Sequence, residues 1–420
     1  MKLWKKMLIG IGVGIGAGVL LGPHAQYLKP IGTIFLGLLN MLVVLLVFSS
    51  MSVSICSIND TRKLGRVGLK ALLMYLGTTA LAIMVGLIAV HLINPGLGVG
   101  LRHSGEIHMQ DTPEIMQILV NMIPSNPIAA LAKGNILQVI VFSIFLGLAI
   151  NFAGEKGKPV ARVLEALSAT MFSMAGIVMN LAPYGVCAIM AWVAGTFGVG
   201  ILIPLLKLVL THYLACMAHL VIVYGGILVF MAKLRVLPFF KGMSDAMTVA
   251  ASTASTSVAL PAAMHCVEEN LGVSKNISSF VLPLGSAINM NGTAIFQAIA
   301  AVFIAQAYGI ELPWTSILLI VVTATLSSFG AAGIPGGGLL TLSIVLGSVG
   351  LPIEGIAIVA GIDRIRDIIG TVVNLLGDAV VTVFIAKSEG ELDEKCYNSE
   401  VYVSYQESFA KKPVKGVESA

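Results

Sequence analysis

The sequence predicts an all-α polytopic membrane protein. Three observations carry that prediction. Of 420 residues, 57% are hydrophobic and only 11% are charged, where a soluble domain would carry charge on about a quarter of its residues. The mean hydropathy is +0.95. Apolar stretches run through about 7–22, 31–58, 67–101, 134–152, 160–206, 208–232, 278–307, 315–350 and 352–386, several of them far longer than the ~20 residues that a spanning helix needs, and they show none of the polar–apolar alternation of a membrane β-barrel.

The basic residues fix an orientation. Lys2, Lys5 and Lys6, then Arg62, Lys63 and Arg66, then Lys156, Lys158 and Arg162, then Lys233, Arg235 and Lys241 form short clusters, and such clusters stay on the cytoplasmic side. Two spans fit between each successive pair, which accounts for six helices. The five cysteines, Cys56, Cys187, Cys216, Cys266 and Cys396, lack metal-ligand spacing, and most lie in or near apolar segments where a thiol behaves as a small hydrophobe. Neither a disulfide framework nor a zinc site is expected. The net charge of +4 comes from short loops and points to no nucleic-acid partner.

From about residue 243 the pattern changes. Serine, threonine and alanine fill 251–257 with Pro261 close behind, and glycine dominates 327–338. Such stretches make poor helix interiors, yet their apolar flanks are too short to span. Irregular backbone at membrane depth must be buried in protein or line a wet cavity, so each stretch is expected to form the tip of a re-entrant helical hairpin. One polar helix follows each tip: Asn289-Met290-Asn291-Gly292-Thr293 after the first, Asp363 to Asp378 after the second. Two such units suggest an inverted repeat around a midplane site. A kinked helix with a glycine hinge is the plainer reading of 289–293.

In the last helix Asp363, Asp367, Gly370, Thr371, Asn374 and Asp378 fall within an arc of roughly 100° at ~100° per residue. Buried carboxylates are costly and should meet a cation, an amine or a cavity. Pairing with Arg364 and Arg366 accounts for one or two of them, whereas Asp378 has no basic neighbour within two turns.

These residues resemble the glutamate-transporter homologues, the dicarboxylate/amino acid:cation symporters. The likeness is strongest between Glu268 and Asp393, through SFVLPLG at 279–285, NMNGT at 289–293, GIPG at 333–336, NLLGD at 374–378 and AKSEG at 386–390. It implies a homotrimer in the cytoplasmic (inner) membrane with both termini cytoplasmic, and protomers of eight transmembrane helices plus two re-entrant hairpins that work as an elevator. The implied divisions are 1–66 for scaffold helices 1 and 2, 67–133 for helix 3 of the transport domain and an external loop, 134–232 for scaffold helices 4 and 5 and helix 6, 243–387 for the transport core, and 388–420 for a polar cytoplasmic tail.

The same resemblance assigns site residues. Ser255, Thr256 and Ser257 would form one wall of the substrate site, Ile334 and Gly338 the other. Asp367 would bind a substrate amine, Thr371 and Asn374 its polar atoms, and Thr293 the side-chain end. Sodium is the implied co-ion, with protons as an alternative. One sodium site maps to Gly285, Asn289, Asn374 and Asp378, a second to Met290 and the backbone around Ser328, Phe329 and Ala331, and a third to Tyr75, Thr78, Thr79, Asn289 and Asn291. Two departures matter. Members that carry acidic substrates usually have arginine at Gly370, so a small neutral amino acid is expected here, with an acidic amino acid or C4-dicarboxylate, proton-coupled or not, as the alternative. Position 291 commonly holds aspartate, so asparagine should weaken the third site. An ion channel is the rival from another class. No enzyme is expected, because the histidines are dispersed and His212 and His219 read as packing or interfacial groups.

Overall fold

Uninterrupted apolar runs favour the helix, because it satisfies every backbone amide and carbonyl within its own segment. The computed structural model of the chain describes residues 3–56, 62–100, 120, 123–328, 337–399 and 402–403, and among them there is no strand, only an isolated bridge between Val273 and Leu392. The elements are α1 (Leu3–Leu21), α2 (Lys29–Cys56), α3 (Arg62–Ile93), α4 (Pro127–Lys133), α5 (Ile136–Ala153), α6 (Lys158–Phe197), α7 (Leu202–His219), α8 (Val236–Gly242), α9 (Ser244–Thr253), α10 (Thr256–His265), α11 (Lys275–Ile288), α12 (Asn291–Tyr308), α13 (Trp314–Ser328), α14 (Gly337–Ser348), α15 (Gly355–Ala360), α16 (Asp363–Ser388) and α17 (Glu394–Tyr397). Seven described segments are long and apolar enough to cross a membrane. An eighth crossing would be α2, whose described apolar stretch is the shorter Val44–Val53.

Two groups of helices separate by packing. On one side α1 and α2 lie against α6, and α2 also meets α5. On the other, α3 and α7 enclose α12 and α16, with α9, α10, α11, α13 and α14 packed around them. Burial follows the same division: the most apolar window of 275–308 is 94% buried and that of 363–388 is 83% buried, against 17% for Ile9–Phe35. The polar helices of the second half are therefore the interior of the molecule. Their charges are paid for by partners in the protein rather than by water.

Each of the two tips anticipated in the sequence joins short helices. α9 and α10 have ten residues each, about 15 Å at 1.5 Å per residue and half the thickness of a hydrocarbon core. They meet where Ala254 takes a left-handed backbone (φ 49°, ψ 45°) and Ser255 caps the next helix, its side chain accepting from the Val258 amide. The second pair, α13 and α14, packs side by side. Residues 329–336 between them, including Ala331 and Ile334, lie outside the described residues. The 289–293 segment is a true break: α11 ends at Ile288, Asn289 and Met290 are non-helical, and α12 begins at Asn291.

Near the start of α3, Arg66 and Lys70 both reach Glu389, just past the end of α16, Lys70 at 2.5 Å. The Lys70 hydrogen bond, reinforced by Arg66, holds the Glu389 carboxyl below the usual carboxylate range. The beginning of the C-terminal segment is held against the rest of the protein. Tyr397 is fully buried and its hydroxyl donates to the Arg235 carbonyl at 2.8 Å, and the Val403 amide donates to Asn270 Oδ1 at 2.7 Å. One aromatic ring with a satisfied hydroxyl is enough to dock an otherwise polar strand of chain.

Candidate functional site

The first turn of α16 brings four charged side chains into the interior. Asp363, Arg364, Arg366 and Asp367 are all buried. Arg366 leans toward the helix N-terminus, as helical side chains do. One of its terminal nitrogens pairs with Asp363 and the other with Asp367 Oδ1 at 3.2 Å. Its guanidinium carbon stands 3.8 Å from the centroid of Phe296 on α12, a cation–π contact that fixes the plane of the fork. A Cβ at Gly338 would come within 2.6 Å of Arg366 Nη2, so the start of α14 lies directly against the guanidinium. Arg364 Nη2 donates to the Thr253 carbonyl at 3.2 Å, at the tip of α9. The first turn of α16 thereby meets both hairpins and α12.

Several donors here remain unspent. Arg364 Nε and Nη1 and Arg366 Nε are buried without a hydrogen-bond partner. Unpaired buried donors cost about 1–3 kcal/mol each, more when charged. Such a cost is tolerable where a ligand supplies the missing acceptors. The hairpin tip adds Ser255 as a cap and the buried Thr256, whose hydroxyl also lacks a partner, whereas Ser257 is exposed.

One to three turns further along α16 lies a second cluster built from neutral groups and one carboxylate. Asp378 Oδ1 accepts from Asn289 Nδ2 at 2.9 Å, while Oδ2 is buried with no partner. Gly285 lies against this carboxylate and the Tyr75 hydroxyl, which donates to the Val281 carbonyl at 2.9 Å. Thr78 reaches Asn289 Oδ1 at 3.4 Å, and Thr79 donates to Asn291 Oδ1 at 2.7 Å. Asn291 Nδ2 donates to the Tyr224 hydroxyl at 2.8 Å, whose own proton goes to the Val373 carbonyl at 2.9 Å. Tyr224 sits at the end of a π-turn, Leu220–Tyr224, that continues α7. Asn374 accepts from the Gly292 amide at 2.7 Å and donates to Met290 Sδ at 3.3 Å. Among the described residues no group of three His, Cys, Asp or Glu side chains converges. Hydroxyls, amides and a single carboxylate suit a loosely held monovalent cation rather than a tightly bound divalent one.

The two clusters share one close helix crossing. A Cβ on Gly292 would fall on the backbone carbonyl of Gly370, while a Cβ on Gly370 would meet His212 Cε1 at an ordinary 3.6 Å. Gly292→Ala should therefore push α12 and α16 apart and break the hydrogen bond that the residue 292 amide donates to Asn374, at a cost of about 1–3 kcal/mol from overpacking. Gly370→Ala should be tolerated. A thermal melt of the two purified variants separates them, and equal melting points would refute the crossing.

The structure brings Gly285, Asn289, Asn374 and Asp378 into one region, and Tyr75, Thr78, Thr79, Asn289 and Asn291 into a connected network. Thr293 and Thr371 are buried near the crossing. Ser328 is buried with its hydroxyl on the Thr325 carbonyl. Ala331 and Ile334 lie outside the described residues. Sequence reasoning missed Phe296, Tyr224, and Gln297, which ties α12 to the second hairpin through Thr341 at 2.5 Å and Ser327 at 3.2 Å. His212, read from the sequence as a packing or interfacial group, is fully buried with Nε2 3.1 Å from the Gly292 carbonyl.

Buried carboxylates, guanidinia and amides inside an apolar helical bundle, with half-length helices closing on them, are the marks of a membrane transporter. The chain belongs to the sodium:dicarboxylate symporter family, whose model matches residues 3–388. It is 38% identical over 407 residues to the proton/sodium-glutamate symport protein of Geobacillus stearothermophilus, covering 93% of this chain and 95% of the relative. It is 35% identical to the protein of the same name in Bacillus subtilis (strain 168), over 92% and 93% of the two chains. The C4-dicarboxylate transport protein of Laribacter hongkongensis is also 35% identical, over 96% and 93%. The neutral amino acid expected from Gly370 finds no support in these relatives, whose names carry glutamate and C4-dicarboxylates. Where the sequence offers no guanidinium at 370, the structure buries two others, Arg364 and Arg366, a turn or two earlier.

Proposed function

We propose that this chain imports an acidic amino acid, aspartate or glutamate, together with sodium. The observation that carries the reading is the set of unspent N–H donors on two buried guanidinia, Arg364 and Arg366, next to Asp367. Carboxylates are the natural acceptors for a guanidinium fork, and an α-ammonium is the natural partner of Asp367. A C4-dicarboxylate has no ammonium to offer that carboxylate, so the amino acid is the better match. Asn374, Thr371 and Thr293 would contact the rest of the substrate. Ser255, Thr256, Ser257 and Gly338, with Ile334, would close over it.

The cation sites follow the same logic. Asp378 with Asn289, Asn374 and the Gly285 carbonyl holds one sodium ion, using the carboxylate oxygen that no protein group fills. Met290 with the backbone at Ser328 and Ala331 holds a second, and a proton can replace one of the two. The architecture we assign is eight crossing helices and two hairpins, with 243–387 and helix 3 moving as an elevator against the scaffold of a homotrimer. The near-complete burial of α12 and α16 supports a distinct moving core. The Lys and Arg clusters support cytoplasmic termini in the inner membrane.

A thermal-shift series on the detergent-purified protein tests the substrate. Bound ligand stabilises by RT ln(1 + [L]/Kd), so aspartate or glutamate should raise the melting temperature in sodium chloride and not in choline chloride. A rise with serine or alanine but not with aspartate would overturn the reading.

A further inference from the structure

We infer that Arg364 is the specificity-determining residue of the site: it takes the side-chain carboxylate of the acidic amino acid proposed above, on which this assignment rests, while Arg366 is a strut. The two guanidinia share burial but not surroundings. Arginine stays protonated in proteins, so each is a fixed positive charge. Arg366 has two anions of its own, Asp363 and Asp367, one on each terminal nitrogen. The Phe296 ring covers it at 3.8 Å, and Gly338 lies against Nη2. The protein already answers its charge and fixes its plane.

Arg364 is only 6% exposed, and among the described residues no carboxylate pairs with it. Nη2 donates to the neutral carbonyl of Thr253, and Nε and Nη1 have no partner. A cation at the end of α9 suits the last carbonyls of that helix, but the contact occupies one nitrogen and supplies no negative charge. A buried cation without a counter-charge is among the costliest states in a protein interior. The substrate brings the anion.

Placement agrees with this division. At ~100° per residue Arg364 stands about 60° from Asp367 and about 20° from Thr371 around α16. It therefore borders the polar face where α16 meets the first hairpin tip, and there the buried Thr256 hydroxyl also lacks a partner. A carboxylate at this tip would give Arg364 and Thr256 the acceptor that each lacks. Every amino acid carries an α-carboxylate and an α-ammonium, whose charges cancel. Only the additional carboxylate of aspartate or glutamate answers the charge of Arg364.

Thermal-shift titrations of the full-length protein in sodium chloride, with aspartate and with its uncharged counterpart asparagine, test the assignment. Wild type should favour aspartate by at least about 30-fold, the low end for a buried charge pair. Arg364→Gln keeps an N–H for the Thr253 carbonyl and removes the charge. Its affinity for aspartate should fall at least about 30-fold and that for asparagine less than about threefold, so that the preference disappears. Arg364→Lys keeps the charge without the fork and should fall between the two. Equal losses for both ligands would make Arg364 a structural tie to the hairpin tip, and a full wild-type preference in either variant would leave the carboxylate to Arg366. Either result overturns this inference and leaves the proposed function standing. A wild type that binds asparagine or serine and not aspartate overturns both.

Discussion

Asp367→Asn should abolish binding of an amino acid substrate and leave the fold standing. Asparagine is nearly isosteric with aspartate and keeps an acceptor for Arg366, while Asp363 still neutralises that guanidinium. What disappears is the negative charge that an α-ammonium needs. Removing one partner of a buried charge pair costs about 2–5 kcal/mol, which corresponds to roughly 30-fold to several thousand-fold in affinity. Titrating aspartate against the melting temperature of the variant measures this directly. Unchanged affinity would show that Asp367 serves only to hold Arg366, and the ammonium would need another partner.

Asp378→Asn is the second large effect, and it falls on the cation instead. The substitution removes the buried carboxylate and offers Asn289 an amide in its place. The protein alone should be as stable as the wild type or more so, because an unpaired buried carboxylate is a liability. Its stabilisation by sodium should fall at least about tenfold in apparent affinity, or ~1.4 kcal/mol. Sodium titrations of the melting temperature check both halves. A variant that keeps wild-type sodium dependence would remove Asp378 from the cation site.

Much of this arrangement was legible in the sequence because membrane depth penalises polar groups so heavily. Asn289, Asp367 and Asp378 stand out in apolar surroundings, and the polar face of α16 follows from its spacing alone. The turn at Ala254 was legible from the run of serine, threonine and alanine between short apolar flanks. The phase of that turn was not: Ser255 caps the second helix and Thr256 is buried while Ser257 is exposed, and successive helical residues point about 100° apart. Tyr224 and Gln297 were invisible for a different reason. A single hydroxyl or amide in an apolar run carries no sign of which distant backbone it will meet, and Tyr224 reaches its partners from a π-turn that sequence does not announce. Arg366 was legible as a partner for the neighbouring carboxylates. Its consequence was not, because its contacts with Phe296 and with the helix start at Gly338 belong to tertiary packing.

The central claim, sodium-driven import of an acidic amino acid, is tested most directly by uptake into proteoliposomes. Labelled aspartate, glutamate, succinate and serine would be offered under an inward sodium gradient, and again without one. Accumulation of aspartate or glutamate that requires sodium and exceeds that of succinate and serine is the predicted result. Sodium-driven accumulation of serine with no uptake of the acidic substrates would contradict the account.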